Sequence, residues 1–402
     1  MPEAPPTQRL SKTVVALLAV TCGAAVANLY YVQPLLNQVA GDFGVSQTAS
    51  GLLVTASQVG YVLGLAFVVP IGDLVERRRL IVTLLLLAAL AAAACAAAPA
   101  FSVLAAALAA LGLLSVVAQV VVPLASALAG PEERGQVVGT VMSGLLVGIL
   151  SARTLSGLVA AAGGWRLIFG LAAGGMVVLA LVLHRALPLA PPPDRIPYPK
   201  LLQSVLALVR DEPVLRQRMV LGSLGFACFS VLWTAIAFLL GRHYGYGEGV
   251  IGLFGLAGVA GALIAPVSGR LADRGEGRLA VTVFLVLLLL SWGLLGLGGT
   301  SIAALIAGIV VLDLGVQGAH INHQATIYAL RPEARSRVTT AYMCSMFLGG
   351  VAGSLLAATV YGSAGWSATC ALGAGFAALA LTVWAVTQRV GRTAVASARA
   401  AE

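Results

Sequence analysis

The stretch VLDLGVQGAHINHQATIYAL, residues 311–330, sets one aspartate, two histidines, an asparagine and two glutamines into an otherwise apolar run. At about 100° per residue on a helix, Asp313, Gln317, His320 and Gln324 share a stripe roughly 60° wide. His323 lies well to one side of that stripe and Asn322 points the opposite way. These are groups that hold protons and bond polar solutes: a carboxyl as acceptor, an imidazole that titrates near neutrality, and amides that both donate and accept. GLLVGILSARTLSG, residues 144–157, adds Arg153, a cation inside another apolar run. An ionised aspartate alone among apolar helices is strongly disfavoured, so Asp313 must be protonated, paired or hydrated. A carboxyl balanced between burial and a nearby cation can load and release protons. Asp313 is therefore the expected proton site, His320 its relay partner and Arg153 its available counter-ion. The competing reading is a static polar network between helices. Asp313 with His320 and His323 makes a weak metal set, because the spacings fall on divergent faces, and neither metal nor cofactor is expected.

Further groups suited to recognising a solute lie elsewhere. In AVANLYYVQPLL, residues 25–36, Tyr30 and Gln33 fall on one helical face with Asn37, Asn28 and Tyr31 on another, and Pro34 bends the helix. Gln119 stands in GLLSVVAQVVVPLASALAG, residues 112–130, with Ser115 and Pro123. Phe229 and Trp233 share a face in FACFSVLWTAIAFLL, residues 226–240. A solute cavity would use Asn28, Tyr30, Tyr31, Gln33, Gln119, Arg153, Trp233, Gln317 and Gln324. Interfacial anchoring and core packing are the bland alternatives for the aromatics.

The elements that must position these residues are membrane helices. Of the 402 residues 59% are hydrophobic and 10% charged, with mean hydropathy +0.98, against about 25% charged residues in soluble domains. Spanning helices need about 20 apolar residues. Such runs lie near residues 13–35, 49–71, 79–99, 101–129, 137–161 and 165–185, then 217–240, 250–268, 278–298, 301–328, 337–361 and 365–388. With both termini cytoplasmic, 21 of the 24 lysines and arginines fall on inside loops and tails, which fixes the orientation. The net charge of +9 then reflects topology and lipid headgroups, and no nucleic acid is expected. Asp313 lies about 16 Å along its span, near the midplane of a roughly 30 Å core. The five cysteines sit in apolar runs without CxxC spacing, as small packing residues do.

The chain divides into a tail (1–12), a six-helix bundle (13–185), a proline-rich linker with an amphipathic helix (186–216), a second bundle (217–388) and a second tail (389–402). The halves repeat. PEERG at 131–135 matches PEARS at 332–336, and Gly164-Trp165 matches Gly365-Trp366, both offset by 201. GDLVERRR at 72–79 corresponds to GRLADRGEGR at 269–278. Duplicated bundles of this kind rock against each other around a central site.

GRLADRGEGR resembles the G-x-L-A-D-R-x-G-R-R signature of the major facilitator superfamily. The counterpart GDLVERRR carries Glu76 where the pattern has aspartate and lacks the internal glycine. The resemblance covers span number, linker position and repeat. It implies a cytoplasmic gate at Gly72, Glu76, Arg77, Gly269, Asp273 and Arg274. GLLVGILSARTLSG is similar to the antiporter signature G-x3-G-P-x2-G-G, with Arg153 in place of the proline and Ala152 and Ser156 in place of two glycines. Span four lacks the arginine that many proton-coupled members carry. The phrase N-x-Y-Y-x-Q-P-L-L resembles a subgroup of bacterial efflux permeases.

The expected fold is thus all-α and membrane-integral, with about twelve spans in two pseudo-symmetric bundles. The expected function is secondary transport by alternating access: proton-coupled efflux of a small organic solute by a monomer in a bacterial plasma membrane. A proton-driven or uncoupled importer is the alternative within transport. A membrane-embedded enzyme or receptor is the alternative outside it, but no nucleophile–base set, phosphate loop or large outer domain accompanies these helices.

Overall fold

Long apolar segments, though rich in valine, fold as helices because, in lipid, every backbone N–H and C=O must be bonded within its own segment. The structure is a computed structural model. It describes residues 11–130, 133–188, 197–258, 264, 268, 270, 271, 274, 276–331 and 334–400, with 389–400 as backbone. Every element among the described residues is helical.

The first half comprises α1 (Lys12–Ala27) and α2 (Leu36–Phe43), joined through a turn and a 3₁₀ segment at Gln33–Leu35. It continues with α3 (Gln47–Leu63), α4 (Arg77–Ala96), α5 (Phe101–Leu114), α6 (Val117–Leu128), α7 (Arg134–Gly163) and α8 (Trp165–Ala186). α3 runs on through a π segment, Gly64–Val68, and a 3₁₀ turn, Val69–Asp73. α9 (Tyr198–Asp211) is the linker helix. The second half comprises α10 (Pro213–Phe238), α11 (Glu248–Leu253), α12 (Gly277–Leu297), α13 (Ile302–Leu330) and α14 (Arg335–Ala400). α14 is broken at Gly365, whose φ of 75° and ψ of −164° interrupt the helix.

Nine described helices are long and apolar enough to cross a membrane. One of them, Arg335–Gln388, has 54 residues. At about 1.5 Å per residue that is far more than one ~30 Å crossing, and the break at Gly365 makes two. The shorter apolar helices Lys12–Ala27 and Glu248–Gly258 open the two remaining expected spans. Only the first part of the span expected at 250–268 falls among continuously described residues.

The repeat is visible in the turns. Gly164 and Gly365 both adopt positive φ, 80° and 75°, where a side chain would be strained. Each is followed by a buried tryptophan whose indole N–H donates inward: Trp165 to Asp42 Oδ2 at 2.7 Å, Trp366 to the Leu295 carbonyl at 2.8 Å.

An even number of crossings puts the start of α1 and the end of α14 at one end of the bundle, here the termini end. The halves meet along two main seams, α3 against α14 and α7 against α11. Cross-half hydrogen bonds gather towards the opposite, far end. Asn37 Nδ2 donates to the Ala237 carbonyl at 2.6 Å, Thr48 Oγ1 to the Ala358 carbonyl at 3.3 Å and Thr154 Oγ1 to the Gly252 carbonyl at 3.0 Å. Thr55 bonds Ser354 at 2.9 Å, and Gln58 bonds both Ser230 at 3.0 Å and Ser354 at 3.2 Å. α10 is buried without a break from Gly225 to Phe238 as it passes through this seal.

Candidate functional site

Between the halves lies a cavity of about 350 Å³, within the usual range for small-molecule sites. Its walls are mainly apolar, with Met142, Leu145, Ile149, Phe226, Met346 and Phe347 among them. It runs from mid-depth towards the termini end, where Tyr328 and Thr339 line it.

Arg153 and Asp313 form the deep end. Small residues bring their helices together. A Cβ added at Gly252 would stand 2.6 Å from the Arg153 carbonyl, and one added at Gly258 would stand 2.7 Å from Asp313 Oδ2. The glycine run of the eighth span thus packs against both charged residues. Arg153 is 3% exposed, and its Nε donates to Gln33 Oε1 at 2.7 Å. Its guanidinium lies over three rings: Trp233 at 4.0 Å, Tyr30 at 4.7 Å and Phe229 at 5.3 Å. Tyr30 and Gln33 come from the first half, Phe229 and Trp233 from the second, so Arg153 is gripped from both sides. Such cation–π contacts strengthen when desolvated.

Asp313 is 4% exposed. Its charge and that of Arg153 act on one another across the cavity floor. They are not joined by an ion pair, and Arg153 Nη2 and Asp313 Oδ1 have no hydrogen-bond partner. Gln33 Nε2 is likewise buried without one, while the Trp233 indole N–H lies against the Asp313 carboxyl without a well-formed hydrogen bond.

The other expected residues divide. Gln119 lines the cavity and donates to Tyr61 Oη at 3.4 Å. Gln317, His320 and Gln324 line it along α13, as their shared stripe requires. His320 Nδ1 meets Tyr342 Oη at 3.0 Å. Seven residues along a helix separate it from Asp313, about 10 Å, so the expected relay is not a direct contact. Asn28 turns into the first half, donating to Ser115 Oγ at 3.2 Å. Tyr31 packs edge-on against Phe169 at 6.4 Å. Neither lines the cavity, and nor do Gln33 and Trp233, which hold Arg153 from behind the wall. α1 ends at Ala27, so the helical phase that grouped the residues of this segment lapses there.

At the termini end, Glu76 caps α4, accepting from the backbone N–H groups of Arg78 and Arg79 at 2.9 Å each. Arg77 donates to the Gly72 carbonyl at 3.2 Å and to Asp73 at 3.3 Å. Gly72 is buried beside Val120, and Arg274 is exposed. Gly269 and Asp273 lie outside the described residues.

One pair has no counterpart in the expectations. Arg218, counted above among the loop cations, is buried and stacks on Trp384 at 4.8 Å. It meets His323 Nδ1 at 3.3 Å. A guanidinium only donates, so Nδ1 accepts and the neutral ring carries its proton on Nε2. Its place inside the apolar run 217–240 is the signal in the sequence that Arg218 is not a loop cation. No group of His, Cys, Asp and Glu able to hold a metal occurs among the described residues.

Comparisons with known proteins converge. The family model described as Major Facilitator Superfamily matches residues 15–331. The putative uncharacterized transporter YgaY of Escherichia coli strain K12 is 49% identical over 380 residues, covering 94% of this chain and 96% of that one. A chloramphenicol resistance protein of Streptomyces lividans is 27% identical over 86% of this chain and 88% of its own. Among solved structures, a bacterial homolog of the human lysosomal transporter Spinster, in an inward-facing and occupied conformation, superposes with TM-score 0.77 at 14% identity, over 95% of this chain and 97% of that one. A helical chain built as a duplicated bundle, with a mainly apolar cavity between its halves and charged groups at its deep end, therefore belongs to the major facilitator superfamily of membrane transporters.

Proposed function

We propose that this transporter exports a small organic solute in exchange for protons, with Asp313 as the proton-binding group. The observation that carries the reading is the unpaired Asp313 carboxylate on the cavity floor, on the opposite half from Arg153. The seal at the far end and a cavity leading to the termini end correspond to a state open to the cytoplasm, if the arginine-rich loops lie inside. In this state solute enters the cavity and competes with a proton for Asp313. Rocking of the halves then carries the loaded site to the other side, where a proton displaces the solute. Arg153 is held by rings from both halves, so relative movement of the halves must loosen its cage and alter the field at Asp313. The apolar walls favour a solute with a substantial apolar body. The resistance protein of Streptomyces lividans, by its name, fits export of such a compound.

The test uses protein reconstituted in vesicles with an imposed pH gradient. Asp313→Asn should abolish gradient-driven flux while leaving solute counterflow partly intact. Unchanged proton coupling in that variant would remove Asp313 from the mechanism.

A further inference from the structure

We propose that the solute is a zwitterion carrying a carboxylate and an ammonium close together on an apolar body, as in an apolar α-amino acid or a small derivative that keeps both charges. The proposal rests on the reading of the Arg153–Asp313 cavity as the transport site. On its floor Arg153 Nη2 is a donor and Asp313 Oδ1 an acceptor, and neither has a hydrogen-bond partner of good geometry. Arg153 and Asp313 face the same cavity without pairing, each more than nine-tenths buried. An unpaired charge in an apolar site is strongly unfavourable. A neutral solute offers no partner to either Arg153 Nη2 or Asp313, and a singly charged solute completes only one of them. A zwitterion completes both: its carboxylate accepts from Arg153 Nη2 of the first half, and its ammonium donates to Asp313 of the second. It thereby ties the two halves together, and its apolar part points into the wall formed by Leu145, Ile149, Phe226 and Phe347. Ammonium and proton compete for one carboxylate, which is the condition for exchange.

Purified full-length protein is examined with L-leucine and L-phenylalanine, with their methyl esters, which keep only the cation, and with their N-acetyl forms, which keep only the anion. Thermal shift and inhibition of counterflow are measured. The zwitterions are expected to bind at least tenfold tighter than either derivative. Arg153→Gln should bring the ester within a few fold of the parent amino acid, and Asp313→Asn should do the same for the N-acetyl form. Equal binding of all three forms by the unaltered protein overturns the proposal, as does binding of none of them. An equal loss for all three in both variants also overturns it, since a merely destabilised site would behave that way. Zwitterion preference without pH-gradient-driven flux would sustain this inference and defeat proton coupling. Gradient-driven flux of other solutes without that preference would do the reverse.

Discussion

Gln58 offers the sharpest handle on conformational balance. It sits on α3, is 3% exposed, and holds two residues of the second half at once. Its Nε2 donates to Ser230 Oγ at 3.0 Å and its Oε1 accepts from Ser354 Oγ at 3.2 Å. Both bonds cross between the halves and should exist only while the far end is closed. Gln58→Leu keeps the bulk and deletes both. Hydrogen bonds between membrane helices average about 0.6 kcal/mol each, so the closed far end loses about 1.2 kcal/mol. A tenfold change corresponds to about 1.4 kcal/mol, so the ratio of molecules closed at the far end to molecules open there should fall roughly sevenfold. Ser354 retains its bond to Thr55 at 2.9 Å, and Ser230 can turn to a carbonyl of its own helix, so no large secondary penalty offsets the change. Spin labels at Gly139→Cys on α7 and Ser336→Cys on α14, both exposed at the termini end, would report the two populations as two distances. The five native cysteines would first be replaced. Identical distance populations in a monodisperse Gln58→Leu protein would refute the idea that these bonds hold the seal.

Two further outcomes concern stability. Gly112 places α5 against α3 so closely that an added Cβ would stand 2.1 Å from the Ser57 carbonyl. Gly112→Leu should cost upwards of about 3 kcal/mol, because backbone must move. Gly170→Leu, where an added Cβ meets nothing within 4 Å, is the control, and equal melting temperatures for the two in detergent would contradict the packing argument. Glu76→Ala removes the cap of α4 and should cost about 1 kcal/mol, as loss of a helix cap does. A melting temperature indistinguishable from that of the unaltered protein would show that the cap is not what holds this turn.

The spans were legible because lipid leaves the backbone few choices, and the Gly164 and Gly365 turns were legible because a repeat shows itself in paired anchors. The stripe of Asp313, Gln317, His320 and Gln324 could be read because α13 is one unbroken helix from Ile302 to Leu330. Residues 28–35 could not be read on the same wheel. There the chain passes through a turn and a 3₁₀ segment, and Asn28 and Tyr31 rotate away from the cavity. The grip on Arg153 was hidden for another reason. Tyr30 and Gln33 lie on the turn and 3₁₀ segment after α1, and Phe229 and Trp233 on α10, all far from it in sequence, and only packing of the halves assembles them. Positional charge counting also misled. Arg218 stands near a span's start, yet it is buried against His323 and Trp384. The duplicated halves explain one asymmetry: the first-half equivalent of Asp313 is Gly112, a place where helix contact leaves no room for a side chain.

The far-end seal has a consequence for how the molecule answers its surroundings. Among the described residues, its cross-half bonds join only amides, hydroxyls and backbone carbonyls. None of these groups changes charge near neutral pH, and none is weakened by added salt as ion pairs are. The latch is therefore a constant, equally firm in acid or brine. Any response of the conformational equilibrium to acidity must originate elsewhere, and the charges on the cavity floor stand where they can supply it. A fixed spring then works against titratable groups that line the cavity, Asp313, His320 and His323, so acidity acts on the cavity side alone.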